Sequence, residues 1–184
     1  MKIGSRSVLY GAHCFFIHPL FVALAWWRLY GFPFDYRLWV AFFVHDLGYW
    51  GCENMDGEEG EQHPYLGAFL MSRFDEPFPY NGDAPGNLTW YNFTLYHSRF
   101  LARHHDRVFS KLCVADKLAA ALEPRWFYLL RVIVTGEIKE YMALHQDPNS
   151  KYGPKSRVLN TRWEWCTYMQ NFCRRWAYAH KDIA

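Results

Sequence analysis

The apolar positions of this chain fall into runs punctuated by helix starts and stops, and few stretches alternate with the period of a strand. Leu20 to Tyr30 is an apolar run that opens behind Pro19, a ring tolerated at a first helical position, and stops at Gly31 with Pro33 just beyond. Asp35 can cap a second helix, Tyr36 to Leu47, whose apolar residues run into Gly48 as a stop, so that His45 and Asp46 fall in its last turn. Gly48 to Gln62 is Gly-rich and acidic and reads as a loop; Pro64 reopens a helix to about Ser72. Asp75 to Asn87 is rich in Pro and Gly, as a lid or connecting loop would be. From Leu88, the residues Trp90, Phe93, His97, Leu101 and His104 recur at helical spacing, which puts both histidines where the apolar side chains point. Asp106 can cap a further helix carrying Val108, Leu112, Ala115 and Leu118 and ending before Pro124. Another helix spans about Trp126 to Leu144. A polar loop follows from His145 to Gly153, then an aromatic final helix from about Thr161 to Ala179. The pattern predicts an all-α chain, one helical domain over residues 1–184 with six or seven helices and no internal repeat.

Composition narrows the function. A length of 184 residues suits one domain, and 51% hydrophobic against 21% charged residues excludes a disordered chain. A net charge of +2 gives no electrostatic case for nucleic acid. The five cysteines are scattered without a C-x-x-C pair, so neither a disulfide framework nor a thiolate zinc site is indicated, and a reducing, cytoplasmic setting fits. Val8 to Trp27 is apolar enough to resemble a signal peptide or a membrane span. It holds His13, His18 and Pro19, costly in lipid, and no small-residue cleavage site follows, so a buried core helix is expected there.

The nine histidines carry the candidate chemistry. Adjacent helical residues point about 100° apart, so His45 and Asp46 reach one ion together only from a helix flank or end, where the negative end of the helix dipole also favours a cation. A His-Asp pair by itself is weak, since such pairs usually cap helices or meet solvent. His13 is five residues from His18, about 140° around a straight helix, so the two do not easily serve one ion, and His145 and His180 are expected to be exposed. The chain has no G-x-S-x-G, no glycine-rich phosphate loop and no papain-like Cys segment, which leaves Ser or Cys nucleophiles unsupported.

Four pieces in fixed order extend the pair: His18-Pro19-Leu20-Phe21-Val22-Ala23, Phe42-Phe43-Val44-His45-Asp46-Leu47-Gly48, His63-Pro64-Tyr65-Leu66-Gly67-Ala68, and Tyr96-His97 followed by Val114-Ala115-Asp116-Lys117-Leu118. Together they resemble the HD-domain superfamily of metal-dependent phosphohydrolases over about residues 13–122; nothing after about Pro124 resembles it. The resemblance implies that His18, His45, Asp46 and Asp116 hold one divalent metal, while His63 and His97, with Asp46 bridging, hold a second. It implies attack of a metal-activated hydroxide on phosphorus, with a small nucleotide as substrate: a nucleoside mono- or triphosphate, a dinucleoside polyphosphate or a cyclic nucleotide. Imidazole-rich ligation favours Mn, Fe, Co, Ni or Zn over Mg or Ca. A single helix from His97 to Asp116 would separate their Cα atoms by about 28 Å, so the helix must break, and His104-His105-Asp106 is the expected place.

Further roles are assigned from position. Asp56 or Glu53 in the acidic loop could orient water or donate a proton, or simply be solvated. Arg99, Arg103, Arg107 and Lys111 recur every four residues, as a phosphate-facing stripe or a solvated helix face. His104 is a candidate general acid, Lys117 a candidate phosphate partner, and Tyr49 and Trp50 candidates for stacking on a base or for core packing. Two other readings stay open: a non-catalytic HD-like module that binds nucleotide or metal, and a membrane-associated helical protein. The aromatic helix from Thr161 could cap the core or form the face of a homo-oligomer.

Overall fold

A computed structural model describes residues 1–74, 89–147, 159 and 161–183. Among them the regular elements are all helical: α1 (Ile3–Tyr10), α2 (His18–Tyr30), α3 (Tyr36–Val44), a 3-10 turn (Leu47–Tyr49), α4 (Glu58–Glu61), α5 (Pro64–Met71), α6 (Trp90–Leu95), α7 (Arg99–His104), α8 (Lys111–Leu122), α9 (Arg125–Thr135), α10 (Glu137–Gln146) and α11 (Arg162–His180). The all-α class is as expected. The helices are more numerous than six or seven because short breaks divide runs that hydrophobic spacing alone joins. The expected loop Asp75 to Asn87 and most of His145 to Gly153 lie outside the described residues.

The breaks have local causes. Gly136, with φ 90°, separates α9 from α10 and divides the expected Trp126–Leu144 helix. Tyr96 to Ser98 interrupts the expected helix from Leu88; the Ser98 hydroxyl caps α7 by accepting from the Leu101 N–H at 3.3 Å. His97 therefore sits in a turn rather than on a helix face. The break between His97 and Asp116 falls where it was expected, but Asp106 is not a cap. Its φ of 52° puts it in the left-handed region, which aspartate tolerates better than most residues, and α8 starts later, at Lys111. Nor is Val8 to Trp27 one helix: α1 ends at Tyr10, the chain turns through Gly11 to Ile17, and α2 begins at His18 with Pro19 in its first turn. No helix among the described residues is long and apolar enough to cross a membrane.

Helix α8 is the hub, packed between α2 and α11. Its Leu112, Ala115, Leu118 and Ala119 are fully buried against Val22 and Trp26 of α2, Phe42 of α3, Trp90 and Phe93 of α6, and Ala177 of α11. Each large side chain so buried contributes roughly 1.5–3 kcal/mol. A second apolar cluster joins Tyr128 and Val132 of α9, Ile138 of α10 and Trp165 and Cys166 of α11. Glu137, wholly buried, ties α1 to this half. It accepts from the Ser7 hydroxyl (2.6 Å), the Ala12 N–H (3.2 Å), the Tyr141 hydroxyl (3.1 Å) and Thr135. All five cysteines are buried free thiols.

Two glycines let backbones meet beside the site. Gly48 is not a left-handed helix stop; α3 has already ended at Val44, and a Cβ on Gly48 would lie 2.0 Å from the His63 carbonyl oxygen. A Cβ on Gly67 of α5 would lie 2.5 Å from the Val44 oxygen and 2.9 Å from the His45 Cα. Gly67→Ala gains about 1 kcal/mol of helix propensity but forces α5 off α3. A net loss of roughly 1–3 kcal/mol is expected from overpacking, read as a fall in the thermal midpoint, and a rise would show that α5 does not seat against His45.

Candidate metal centre

Five of the six expected ligands sit at helix ends or turns and the sixth lies within α8. His18 opens α2, His45 follows the last residue of α3, and Asp46 precedes the 3-10 turn. His63 stands just before Pro64 at the start of α5, and His97 lies between α6 and α7. Asp116 projects from the middle of α8. Helix ends can converge more closely than helix faces, whose axes stay 8–10 Å apart. The end of α3 matters most: His45 keeps helical angles and Asp46 leaves them (φ −100°, ψ 2°), so the two adjacent side chains reach one place from a terminus.

The geometry is organised around the Asp46 carboxylate. One oxygen, Oδ2, lies 3.5 Å from Nε2 of His18 and 3.2 Å from Nε2 of His45; the other, Oδ1, lies 3.5 Å from Nε2 of His63 and 3.4 Å from Nε2 of His97. His18 Nε2 is also 3.0 Å from Asp116 Oδ1. The donor atoms form two groups, His18, His45, Asp46 and Asp116, and Asp46, His63 and His97, within each of which all atoms lie inside 4.8 Å. Asp46 belongs to both.

Three of the imidazoles are held by a common device. The Nδ1 atoms of His45, His63 and His97 face the carbonyl oxygens of Phe42, Gly60 and Thr94, each three residues earlier, at 2.9, 2.6 and 2.6 Å. A carbonyl only accepts, so the proton sits on Nδ1 and the Nε2 lone pair faces the centre, as a metal-binding histidine requires. His63 Nε2 and His97 Nε2 are then 3.1 Å apart. Two lone pairs at that distance repel unless a proton or a cation lies between them. Ligand atoms 2.0–2.1 Å from one metal stand about 2.8–3.4 Å apart in octahedral or tetrahedral geometry, which matches. Nε2 of His18, Nε2 of His45 and Oδ2 of Asp46 are buried and make no hydrogen bond, an expensive state for polar atoms that ligation would relieve. The residues present therefore fit a pair of divalent ions with nitrogen and carboxylate ligation.

Electrostatics agrees with that fit. Burial opposes the charge of Asp46, yet the facing imidazoles of His45 and His13 hold its carboxyl well below the usual range. Burial likewise opposes the charge of Asp116, and Lys117 beside it, with His18, keeps it ionised. Burial and the neighbouring His97 push His63 far down, so its imidazole stays neutral. Burial also acts to lower His45, but the Asp46 carboxylate outweighs it and brings the group to about 8.

The centre opens into a cavity of about 430 Å³. Of the further candidates, Asp56, Tyr49, Arg99, Arg103 and Lys117 line it. Tyr49 does not offer a free face: its ring stacks on His63 at 3.9 Å. Arg99 lies over the Trp176 ring at 5.0 Å, and Lys117 Nζ is 3.3 Å from Asp116 Oδ2. Glu53, His104, Arg107 and Trp50 lie outside the lining. Glu53 pairs with Lys2 at 3.3 Å, His104 is exposed and stacked on Phe100, Arg107 is exposed, and Trp50 is 58% exposed. Lys111 is carried away to lie over Tyr30.

His13 is the residue that spacing set aside. The turn before α2 brings it onto the cavity wall, and its Nδ1 lies 2.8 Å from the Ser7 hydroxyl. That hydroxyl spends its one proton on Glu137, so it accepts from Nδ1–H and leaves the Nε2 lone pair of His13 free. Burial lowers the His13 pKa. His145 departs from expectation too: it is buried in the last turn of α10, while His180 is half-buried and stacked on Trp176.

No family model matches the chain, and no curated protein or solved structure matches it. Mn²⁺ or Zn²⁺ is expected to raise the thermal midpoint of the protein. At a free concentration 100 times Kd the gain is about 2.7 kcal/mol, roughly 5–11 °C for a chain of this size. Asp46→Ala, which removes the shared ligand, should abolish the shift; an equal shift in the variant would place the metal elsewhere. Binding should weaken from pH 8 to pH 6, because the proton on His45 must leave before its Nε2 can ligate.

Proposed function

We propose that the protein is a metal-dependent phosphohydrolase acting on a small phosphate ester. The observation that carries this reading is the Asp46 carboxylate, buried, shared between two donor groups and faced by four imidazole Nε2 atoms at 3.2–3.5 Å. The ordered HD-like motifs favour the same class and make a nucleotide the expected substrate.

Divalent ions held there would lower the pKa of water and draw charge from a phosphoryl oxygen. The chain supplies the rest. Four imidazoles are neutral as ligands, so the donor set contributes only the two negative charges of Asp46 and Asp116. Two divalent ions would leave a positive excess for a phosphate. Arg99, Arg103 and Lys117 on the same cavity wall add cationic donors, Arg99 and Arg103 as planar forks suited to phosphoryl oxygens. His13 presents Nε2 as a proton acceptor at the rim, its other nitrogen fixed by Ser7 and Glu137. Asp56 lies on the same wall and can orient water. The exposed positions of Glu53, His104 and Arg107 give them no part in this scheme.

The test is phosphate release from a panel of nucleoside mono- and triphosphates, dinucleoside polyphosphates and cyclic nucleotides, after loading with Mn²⁺, Co²⁺ or Zn²⁺. Metal-dependent turnover is expected for at least one class, with Asp46→Ala reduced at least a hundredfold. His13→Gln should lower kcat by roughly 10²–10⁴-fold if its nitrogen moves the proton, with metal binding kept. Saturable nucleotide binding by the metal-loaded protein without turnover would instead make it a binding module.

A further inference from the structure

Beside the metal cavity lies a second lobe of about 540 Å³ that shares His13, Asp116 and Lys117 with it. Its far wall comes from the last three helices, beyond the reach of the HD-like motifs. Tyr128, Trp165, Tyr168, Met169 and Leu144 make that wall mostly aromatic, and Tyr141, which lines both lobes, borders it. The rings are ordered against one another: Tyr141 stacks on Trp165 at 5.6 Å and 9° between planes, and Tyr168 meets His145 edge-on at 5.5 Å. His145 supplies the unusual feature. It is 92% buried (relative exposure 8%), lines this lobe, and its Nε2 makes no hydrogen bond. A buried polar atom without a partner costs roughly 1–3 kcal/mol, and the side chain that carries it lines a cavity, part aromatic and part charged, of the size that small ligands fill.

We propose that this lobe seats the organic part of the phosphate ester, and that this part is a planar aromatic group whose polar edge hydrogen-bonds Nε2 of His145. The proposal rests on the phosphohydrolase reading for the phosphate end only. Flat walls and paired rings favour a planar aromatic guest over an aliphatic one, because stacking adds about 0.5–1.5 kcal/mol beyond burial. The shared wall at Asp116 and Lys117 puts the guest next to the metal donors, so an ester can span both lobes. His145 would then select guests with a hydrogen-bonding edge.

The experiment has two arms on the full chain. In the first, 1-naphthol and cyclohexanol are titrated calorimetrically into metal-free protein. The naphthol should bind saturably and at least tenfold more tightly than cyclohexanol. His145→Phe, which keeps the ring and removes the polar atom, should weaken it by about two- to tenfold, the loss of one hydrogen bond. Leu144→Trp, which fills the lobe, should abolish it, with Asp46-dependent metal stabilisation retained as the check on folding. In the second arm, the metal-loaded protein is assayed with 1-naphthyl phosphate and glycerol 2-phosphate. KM should be at least tenfold lower for the naphthyl ester, and Leu144→Trp should raise it only for that ester. Naphthol binding lost in Leu144→Trp with no phosphate released from any ester would keep the aromatic site and sink the hydrolase. Phosphate released equally from both esters with no naphthol binding would overturn the aromatic site and keep the hydrolase.

Discussion

A carboxylate buried among four imidazole Nε2 atoms is the constraint on which the rest of the molecule depends. Asp46 retains only 8% exposure, and taking a carboxylate out of water costs several kcal/mol unless it is compensated. A bound cation would supply that compensation, and holding one there requires Nε2 of His18, His45, His63 and His97 to arrive within 3.5 Å of the carboxylate from four different places in the chain. Short helices meet that demand. An interhelical contact through side chains keeps axes 8–10 Å apart, whereas a terminus brings backbone and side chain to the centre together. The chain stops α3 at Val44, starts α5 at Pro64 and interrupts α6 and α7 around His97 for that purpose. Gly48 and Gly67 remove the two Cβ atoms that would hold those ends apart.

The same constraint explains what could be read from the amino acids. Adjacent His45 and Asp46 can share an ion only at a helix end, and that end is where they lie. The distance argument for His97 and Asp116 demanded a break, and the break is there at His105 and Asp106. The Asp35 cap was legible as well, accepting from the Arg37 N–H at 2.9 Å, and the final helix starts about where it was expected, at a Thr161 that forms a capping box with Glu164. These features are local, or follow from lengths along one helix.

What escaped is tertiary. His13 was set aside because five residues on a straight helix separate it from His18 by the wrong angle, but the chain turns between Gly11 and Ile17 and the angle no longer applies. Ser7 and Glu137, which orient it, are 130 residues apart. No spacing rule connects them. Gly48 looked like a helix stop because it follows an apolar run, whereas its conformation is ordinary and its lack of a side chain serves the His63 backbone. His145, in a polar sequence, is buried because α10 turns its last residues towards Tyr168 of α11. In each case the deciding partner lies on an element far away in sequence.

The two halves of the chain divide the work. Residues up to α8 bring the six candidate ligands together, and the helices after Pro124 contribute none of them. Yet those later helices are fixed to the centre: Glu137 reaches back through Ser7 to His13, Arg131 binds Glu123 and the Gly11 carbonyl, and α11 packs along the α8 that carries Asp116. Any change that shifts α9 or α10 must therefore move His13, and any change in α11 presses on the helix bearing a ligand. The metal donors and the aromatic wall stand on one continuous frame, with α8 presenting Asp116 and Lys117 to both lobes and Ala120 to the aromatic one. One helix so placed ties the candidate metal centre to the aromatic wall, because the side chains that α8 gives to each are held in register by the same backbone.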